Sequence, residues 1–278
     1  MKSNFLTRTL TAILFVVIIF VALFLHHILF GIVFYLFMVV ALQEFYNIPK
    51  QGNIPAQKKF GILTGSIIFI ISYLHAHELI GIYVFLLLVP LFMSFFLIEI
   101  FKTSENHYNS IATTIFGIIY ITVPFSMFNY LGKVEIPGAD ITDLLLPAFF
   151  VILWSNDTGA YITGSLAGRH KFAENISPKK TIEGTFGGIV LATVVAALMS
   201  LFDTGLSVTG WIGLGLIISI SGTYGDLAES MLKRRGAIKD SGTILPGHGG
   251  ILDRFDSFLF AVPAAYTYIQ ILQLNIQL

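Results

Sequence analysis

The chain is predicted to be an all-α polytopic membrane protein of about nine spans, with its N-terminus in the cytoplasm and its C-terminus outside. Composition is the first observation behind this reading. Of 278 residues 55% are hydrophobic and only 12% charged, about half the charge of an ordinary soluble domain, and mean hydropathy is +0.83. Nine apolar runs long enough to cross a hydrocarbon core are the second. The third is the placement of lysine and arginine, which concentrate in short cytoplasmic loops. With the N-terminus inside, 15 of the 16 basic residues fall on inside segments and Lys133 alone falls outside. The formal charge of zero says little about such a chain, and the lack of cysteine excludes disulfide and thiol chemistry.

The runs occur in the order Thr9 to Leu25, Ile28 to Gln43, Phe60 to His75, Leu79 to Phe101, Ser110 to Leu131, Ile141 to Thr163, Gly184 to Phe202, Thr209 to Leu232 and Phe255 to Ile276. Lys2 and Arg8 precede the first run, as they would in a signal peptide, but Leu25, His26 and His27 end it without a small-residue cleavage site. It reads as a span. Residues 1–140 form a scaffold of about five spans. Glu44, Glu99 and Glu105 lie at or near cytoplasmic span ends and read as solvated or lipid-headgroup-facing carboxylates. His26, His27, His75 and His77 read as polar residues of the outer interface, too few in convergent ligands for a metal site.

Residues 141–278 hold the chemistry, on four spans and on cytoplasmic loops at 164–183 and 233–254. In the sixth span Asn156 and Asp157 stand inside an apolar run, with Tyr161 four residues after Asp157. An aspartate there is unfavourable by roughly 3 kcal/mol unless it faces protein, water or a cation. Either a satisfied helix contact or a substrate site accounts for it. The loop that follows contains Ser177-Pro-Lys-Lys-Thr181, where Ser177 or Thr181 can cap a helix beginning near Ile182, and Lys179 and Lys180 stand just ahead of that terminus. Free amides, hydroxyls and two ammonium groups suit a phosphate. A topogenic basic loop has the same composition.

The cytoplasmic end of the eighth span places Asp226, Glu229, Ser230 and Lys233 on one helical stripe. At about 1.5 Å per residue the stripe reaches roughly 12 Å from Asp226 to Arg234. Lipid cannot solvate such a stripe, so it must line a polar cavity. Next comes a loop in which Lys239 and Asp240 precede Gly242, Pro246, Gly247, Gly249 and Gly250, these glycines and the proline bracketing His248, before Asp253, Arg254 and Asp256 open the last span. The glycines let backbone amides approach a ligand. Asp226, Asp253 and Asp256 are hard ligands suited to magnesium held together with phosphates, and the nearby Lys and Arg suit the remaining phosphate charge. A gated ion pathway is the alternative. Against it, the polar groups gather on the cytoplasmic side, and no matching pair of broken helices marks an alternating-access site.

Ser230, Leu232, Lys233, Arg234, Lys239, Asp240, Gly242, Leu245 to Gly250, Asp253, Arg254 and Asp256 resemble, without departure, the signature of the phosphatidate cytidylyltransferases, the CDP-diacylglycerol synthases. The stretches at Asn156 and Ser177 are similar to the same family. The resemblance implies transfer of a cytidylyl group from CTP to phosphatidic acid, dependent on magnesium with potassium as a candidate second cation. It also implies a homodimer of nine-span subunits, no nucleic acid partner, and a bacterial plasma membrane location with the active site facing the cytoplasm. On that basis Asp226 and Asp253 would hold the metal, with Asp256 or Asp157 as a further carboxylate. Lys233, Arg234 and Lys239 would neutralise the triphosphate, and Lys179 and Lys180 a lipid or nucleotide phosphate. Glu229, Ser230 and Arg254 belong to the same binding set, with Asp240 beside the catalytic cations. His248 would orient a phosphate or structure its loop. A CDP-alcohol phosphotransferase is disfavoured because its run of four spaced aspartates is absent; a lipid kinase using CTP would instead transfer the terminal phosphoryl group.

Overall fold

The computed structural model describes residues 2–48, 56–102, 106–134, 142–202, 206–245, 247 and 249–277. Side chains at 2–8, 142–143 and 275–277, together with Lys50, Glu105, Pro246 and His248, lie outside that description. The chain divides into two compact units, one of residues 1–129 with 233–254 and one of 130–232 with 255–278.

Helices occupy all nine expected runs. They are α1 (Lys2–Leu25), α2 (His27–Asn47), α3 (Lys58–Ala76), a 3-10 turn (Ile82–Leu87) leading into α4 (Leu88–Ile100), α5 (His107–Gly117) continued by a π turn (Ile118–Thr122) into α6 (Val123–Leu131), α7 (Thr142–Ala167), α8 (Ile182–Met199), α9 (Val208–Arg235) and α10 (Leu252–Gln277). Among the described residues seven of these segments are long and apolar enough to cross a membrane. The apolar part of α1, Thr9–Leu25, is shorter. In α7 the polar run Ser155-Asn156-Asp157-Thr158 lowers the mean hydropathy. The protein is therefore a polytopic α-helical membrane protein. Two short strands, β1 (Lys171–Ala173) and β2 (Ser177–Thr181), pair antiparallel in the loop ahead of α8; hydropathy carried no signal for them.

In the first unit the core is aromatic. Phe34 contacts Phe30, Phe125 and Phe128 at centroid separations of 4.7–6.4 Å, and Phe95 packs edge-on against Phe60. Two carboxylates in this unit depart from expectation. Glu44 and Glu99 are 4% and 3% exposed, so neither is a solvated span-end charge. Glu99 accepts from Gln57 Nε2 at 2.7 Å, Ser110 Oγ at 2.8 Å and Lys102 Nζ at 2.7 Å, and its other oxygen lies 3.1 Å from His107 Nδ1. Burial of a carboxylate is tolerated where such donors replace water. Among the outer histidines, the rings of His26 and His27 stack at 4.3 Å and those of His27 and His77 lie 4.7 Å apart.

The second unit is organised by an inverted pattern on α8. Its buried face carries Gly184, Gly188, Ala192 and Ala196, while Phe186, Val190, Val194 and Leu198 are exposed. In lipid this is the favourable arrangement, because small residues let helix backbones approach and large apolar ones face the acyl chains. The partner is α7. A Cβ on Gly188 would stand 2.6 Å from the Asn156 carbonyl oxygen, and one on Gly184 2.9 Å from that of Ala160.

Candidate active site

The close approach of α7 and α8 sets the walls of a cavity in the second unit. Thr181 caps α8, its Oγ1 accepting from the Gly184 amide at 3.1 Å, and of the two candidate caps it is the one used. Ser177 instead pairs with Ala173 in the hairpin. Glu183, in the first turn of α8, accepts from the Arg169 amide at 3.0 Å and contacts His170 Nδ1 at 2.6 Å, which ties the start of the hairpin to the helix. Lys179 and Lys180 are thus carried on an anchored strand. Both line a cavity of about 430 Å³, together with Asn156, Asp157, Tyr161, Thr223 and Asp226. Asn156 is 3% exposed and donates to Thr223 Oγ1 at 3.5 Å. Its Oδ1 is buried against Gly188 with no hydrogen-bond partner among the described residues.

Across the cavity α9 runs unbroken through its polar stripe. Lys180 Nζ meets Asp226 Oδ2 at 2.7 Å, and Ser230 Oγ donates to Asp226 Oδ1 at 3.3 Å. Asp226, Glu229 and Asp256 each bring a carboxylate oxygen within 4.8 Å of the others. Gly225 makes this possible, since a Cβ there would stand 2.6 Å from the Asp256 carbonyl oxygen and hold α10 away. Three hard oxygen donors at that spacing fit magnesium or a similar divalent ion, completed by water and substrate oxygens. Glu229, expected only as a substrate contact, is one of the three.

In the first unit the segment 233–254 forms a second polar construction. The C-terminus of α9 closes with the Ala237 amide on the Arg234 carbonyl at 3.0 Å and the Ile238 amide on the Lys233 carbonyl at 3.1 Å. Ala237 takes φ +53°, a left-handed position usually given to glycine. Asp253 is the hub. It accepts from Lys233 Nζ at 2.7 Å, from the Ser241 amide at 2.9 Å and from the Gly250 amide at 2.7 Å. Its carboxylate, expected to bind metal, thus braces a loop and a lysine. Between these anchors the Leu245 amide donates to the Gly249 carbonyl at 3.0 Å, with Gly249 at φ +83°, where a side chain would be strained. Lys239, Asp240 and Arg254 line a cavity of about 450 Å³ in this loop, and Arg234 is exposed.

Glu44 also reaches this loop. Its Oε2 accepts from the Leu252 amide at 2.8 Å and from Ser241 Oγ at 3.4 Å. A partner 208 residues away in sequence leaves no local pattern, which is why span-end placement suggested solvent instead.

The chain matches the profile described as "Cytidylyltransferase family" over residues 6–272. It is similar to proteins named phosphatidate cytidylyltransferase from Staphylococcus haemolyticus (strain JCSC1435), 37% identical over 92% of this chain and 95% of the relative. The same name is carried by a Staphylococcus aureus (strain COL) protein at 37% identity and a Staphylococcus epidermidis (strain ATCC 12228 / FDA PCI 1200) protein at 36%, each over the same shares of the two chains.

Proposed function

The chain belongs to the cytidylyltransferase family, and we propose that it is a phosphatidate cytidylyltransferase of the bacterial plasma membrane, making CDP-diacylglycerol and pyrophosphate from CTP and phosphatidic acid. The observation that carries the reading is Asp226, which lines the cavity paired with Lys180 and, behind that wall, brings a carboxylate oxygen together with those of Glu229 and Asp256. A cation pocket for phosphate next to a carboxylate group for a divalent ion is the inventory phosphoryl and nucleotidyl transfer uses.

In this reaction a phosphate oxygen of phosphatidic acid attacks the α-phosphorus of CTP. A new P–O bond forms, the bond to the bridging α–β oxygen breaks, and pyrophosphate leaves with that electron pair. No covalent enzyme intermediate is needed. Asp226, Glu229 and Asp256 would hold magnesium, which when bound screens phosphate charge and favours the in-line arrangement. Lys179 and Lys180 attract a phosphate into the cavity, and Lys180 can exchange its Asp226 partner for a substrate oxygen. Asn156 and Asp157 supply polar contacts along α7. Lys239 and Arg254 line a separate loop cavity whose positive charge suits a phosphate, and Arg234 is exposed at the end of α9. Asp253 keeps Lys233 and the glycine loop in place. CTP is a cytoplasmic metabolite, so these polar groups face the cytoplasm, and the active form is a homodimer. Potassium is a further cation candidate.

Asp226→Asn removes one metal ligand charge and the partner of Lys180 while keeping the side chain's shape. Turnover is expected to fall by a factor on the order of 10³, with the variant remaining folded in the membrane fraction. Full activity of Asp226→Asn would overturn the assignment.

A further inference from the structure

We propose that Glu44, on α2 and far in sequence from every residue of the glycine loop, is a positioning residue that shapes the loop for the nucleotide. Four contacts carry the inference. The carboxylate is 4% exposed. One oxygen accepts from the Leu252 amide at 2.8 Å and from Ser241 Oγ at 3.4 Å. The remaining two are steric, for a Cβ on either Gly242 or Gly250 would collide with this same carboxylate. Two of the loop's glycines therefore make room for Glu44, where the sequence alone assigns them to a ligand's approach.

The consequence is geometric. Gly242 and Gly250 stand at the two ends of the stretch whose cavity is lined by Lys239, Asp240, Thr243, Gly247, Gly249 and Arg254. Glu44 holds both ends from below, and Asp253 holds Ser241 and Gly250 from beside them. Anchoring both ends of a loop lowers the conformational entropy it must lose when a ligand binds. Among the described residues Glu44 contacts neither Lys239 nor Arg254 but the Leu252 amide and Ser241, so it acts through the loop's own framework. The link to CTP rests on the cytidylyltransferase reading, whereas the link to loop order does not.

The test uses the full-length protein in detergent and four variants, Glu44→Ala, Glu44→Gln, Gly250→Ala and the double variant Glu44→Ala/Gly250→Ala. Loop order is read by the rate of trypsin cleavage after Lys239 and Arg254, and function by KM for CTP and KM for phosphatidic acid. Glu44→Ala is expected to speed cleavage and raise KM for CTP by about ten-fold each, with KM for phosphatidic acid within about two-fold of the parent. Glu44→Gln, which keeps an acceptor for the Leu252 amide, recovers most of the protease resistance. Gly250→Ala behaves like Glu44→Ala. In the double variant the added methyl meets no carboxylate and only the close approach to Ser241 Oγ remains, so the losses are less than additive.

Parental cleavage rates and CTP affinity in Glu44→Ala would overturn the proposal, as would Gln behaving like Ala, or additive losses in the double variant. If the parent transfers no label from CTP to lipid, the activity assignment fails on its own, and the cleavage rates still decide whether Glu44 orders the loop.

Discussion

Lys180 and Asp226 keep 25% and 29% of their side chains exposed, whereas Lys233 and Asp253 keep 12% and 6%. The difference separates their roles. A pair left about a quarter exposed and facing a cavity can open for a substrate at small cost, since water compensates each charge. A nearly buried pair that also fixes two amides is built to stay closed. Replacing Lys180 by Ala is therefore expected to weaken phosphate binding, raising KM roughly ten-fold, with little change in thermal stability. Asp253→Asn should instead destabilise the protein by about 3 kcal/mol, measured as a lower Tm in detergent. A double-mutant cycle with Lys233→Met should give a coupling energy of about 1–3 kcal/mol. At this scale the sequence already named Asp226, Glu229 and Asp256, because a charge on an apolar helix has so few permitted explanations, and Lys180, because it stands just ahead of a helix N-terminus. It did not distinguish the partners of Asp253 from those of Asp256. Three residues apart at a helix start, the two differ only in which amides and cations lie beside them, and spacing does not encode that.

Among the elements, α8 has two faces whose packing can be checked separately. Gly184 and Gly188 of its small stripe pack on α7, Ala192 and Ala196 lie against Gly215 of α9, and its large stripe is exposed, so the two faces should respond in opposite ways. Gly188→Leu would force the helices apart and is expected to destabilise by about 1–3 kcal/mol, while Phe186→Ala on the exposed face should leave Tm nearly unchanged. Hydropathy located the helix but not its orientation, since both stripes count as apolar. The β1–β2 hairpin was hidden for a related reason. Five residues with a proline and two lysines have no strand periodicity, and the hairpin is held by its closing register and by Glu183 rather than by a buried face. At the end of α9, Ala237 occupies a left-handed conformation. Ala237→Gly should stabilise the protein by about 1 kcal/mol, provided the mobility glycine gives the unfolded chain does not offset the relief.

For the whole molecule, the nine apolar runs coincide with helical segments among the described residues because the bilayer imposes length and composition together. What such a rule cannot reach is contact between distant segments. Glu44 was read as a solvated carboxylate because its partners, Ser241 and Leu252, lie about two hundred residues on. The orientation expected from the distribution of basic residues can be tested in a chain with no native cysteine. Glu174→Cys, in the exposed hairpin, should react with a membrane-impermeant thiol reagent only in inverted vesicles, and Lys133→Cys only in right-side-out ones. The reverse pattern would turn the topology over and with it the supply of CTP from the cytoplasm.

The central claim is the bond that is broken, and the position of an isotope reads it directly. Purified protein is incubated with phosphatidic acid, magnesium and CTP labelled at either the α- or the γ-phosphate, and lipid and pyrophosphate are followed together. The account predicts α-label in the lipid, γ-label in released pyrophosphate, and equal amounts of the two products. Lipid labelled only from the γ-phosphate would contradict it and make the protein a CTP-dependent lipid kinase.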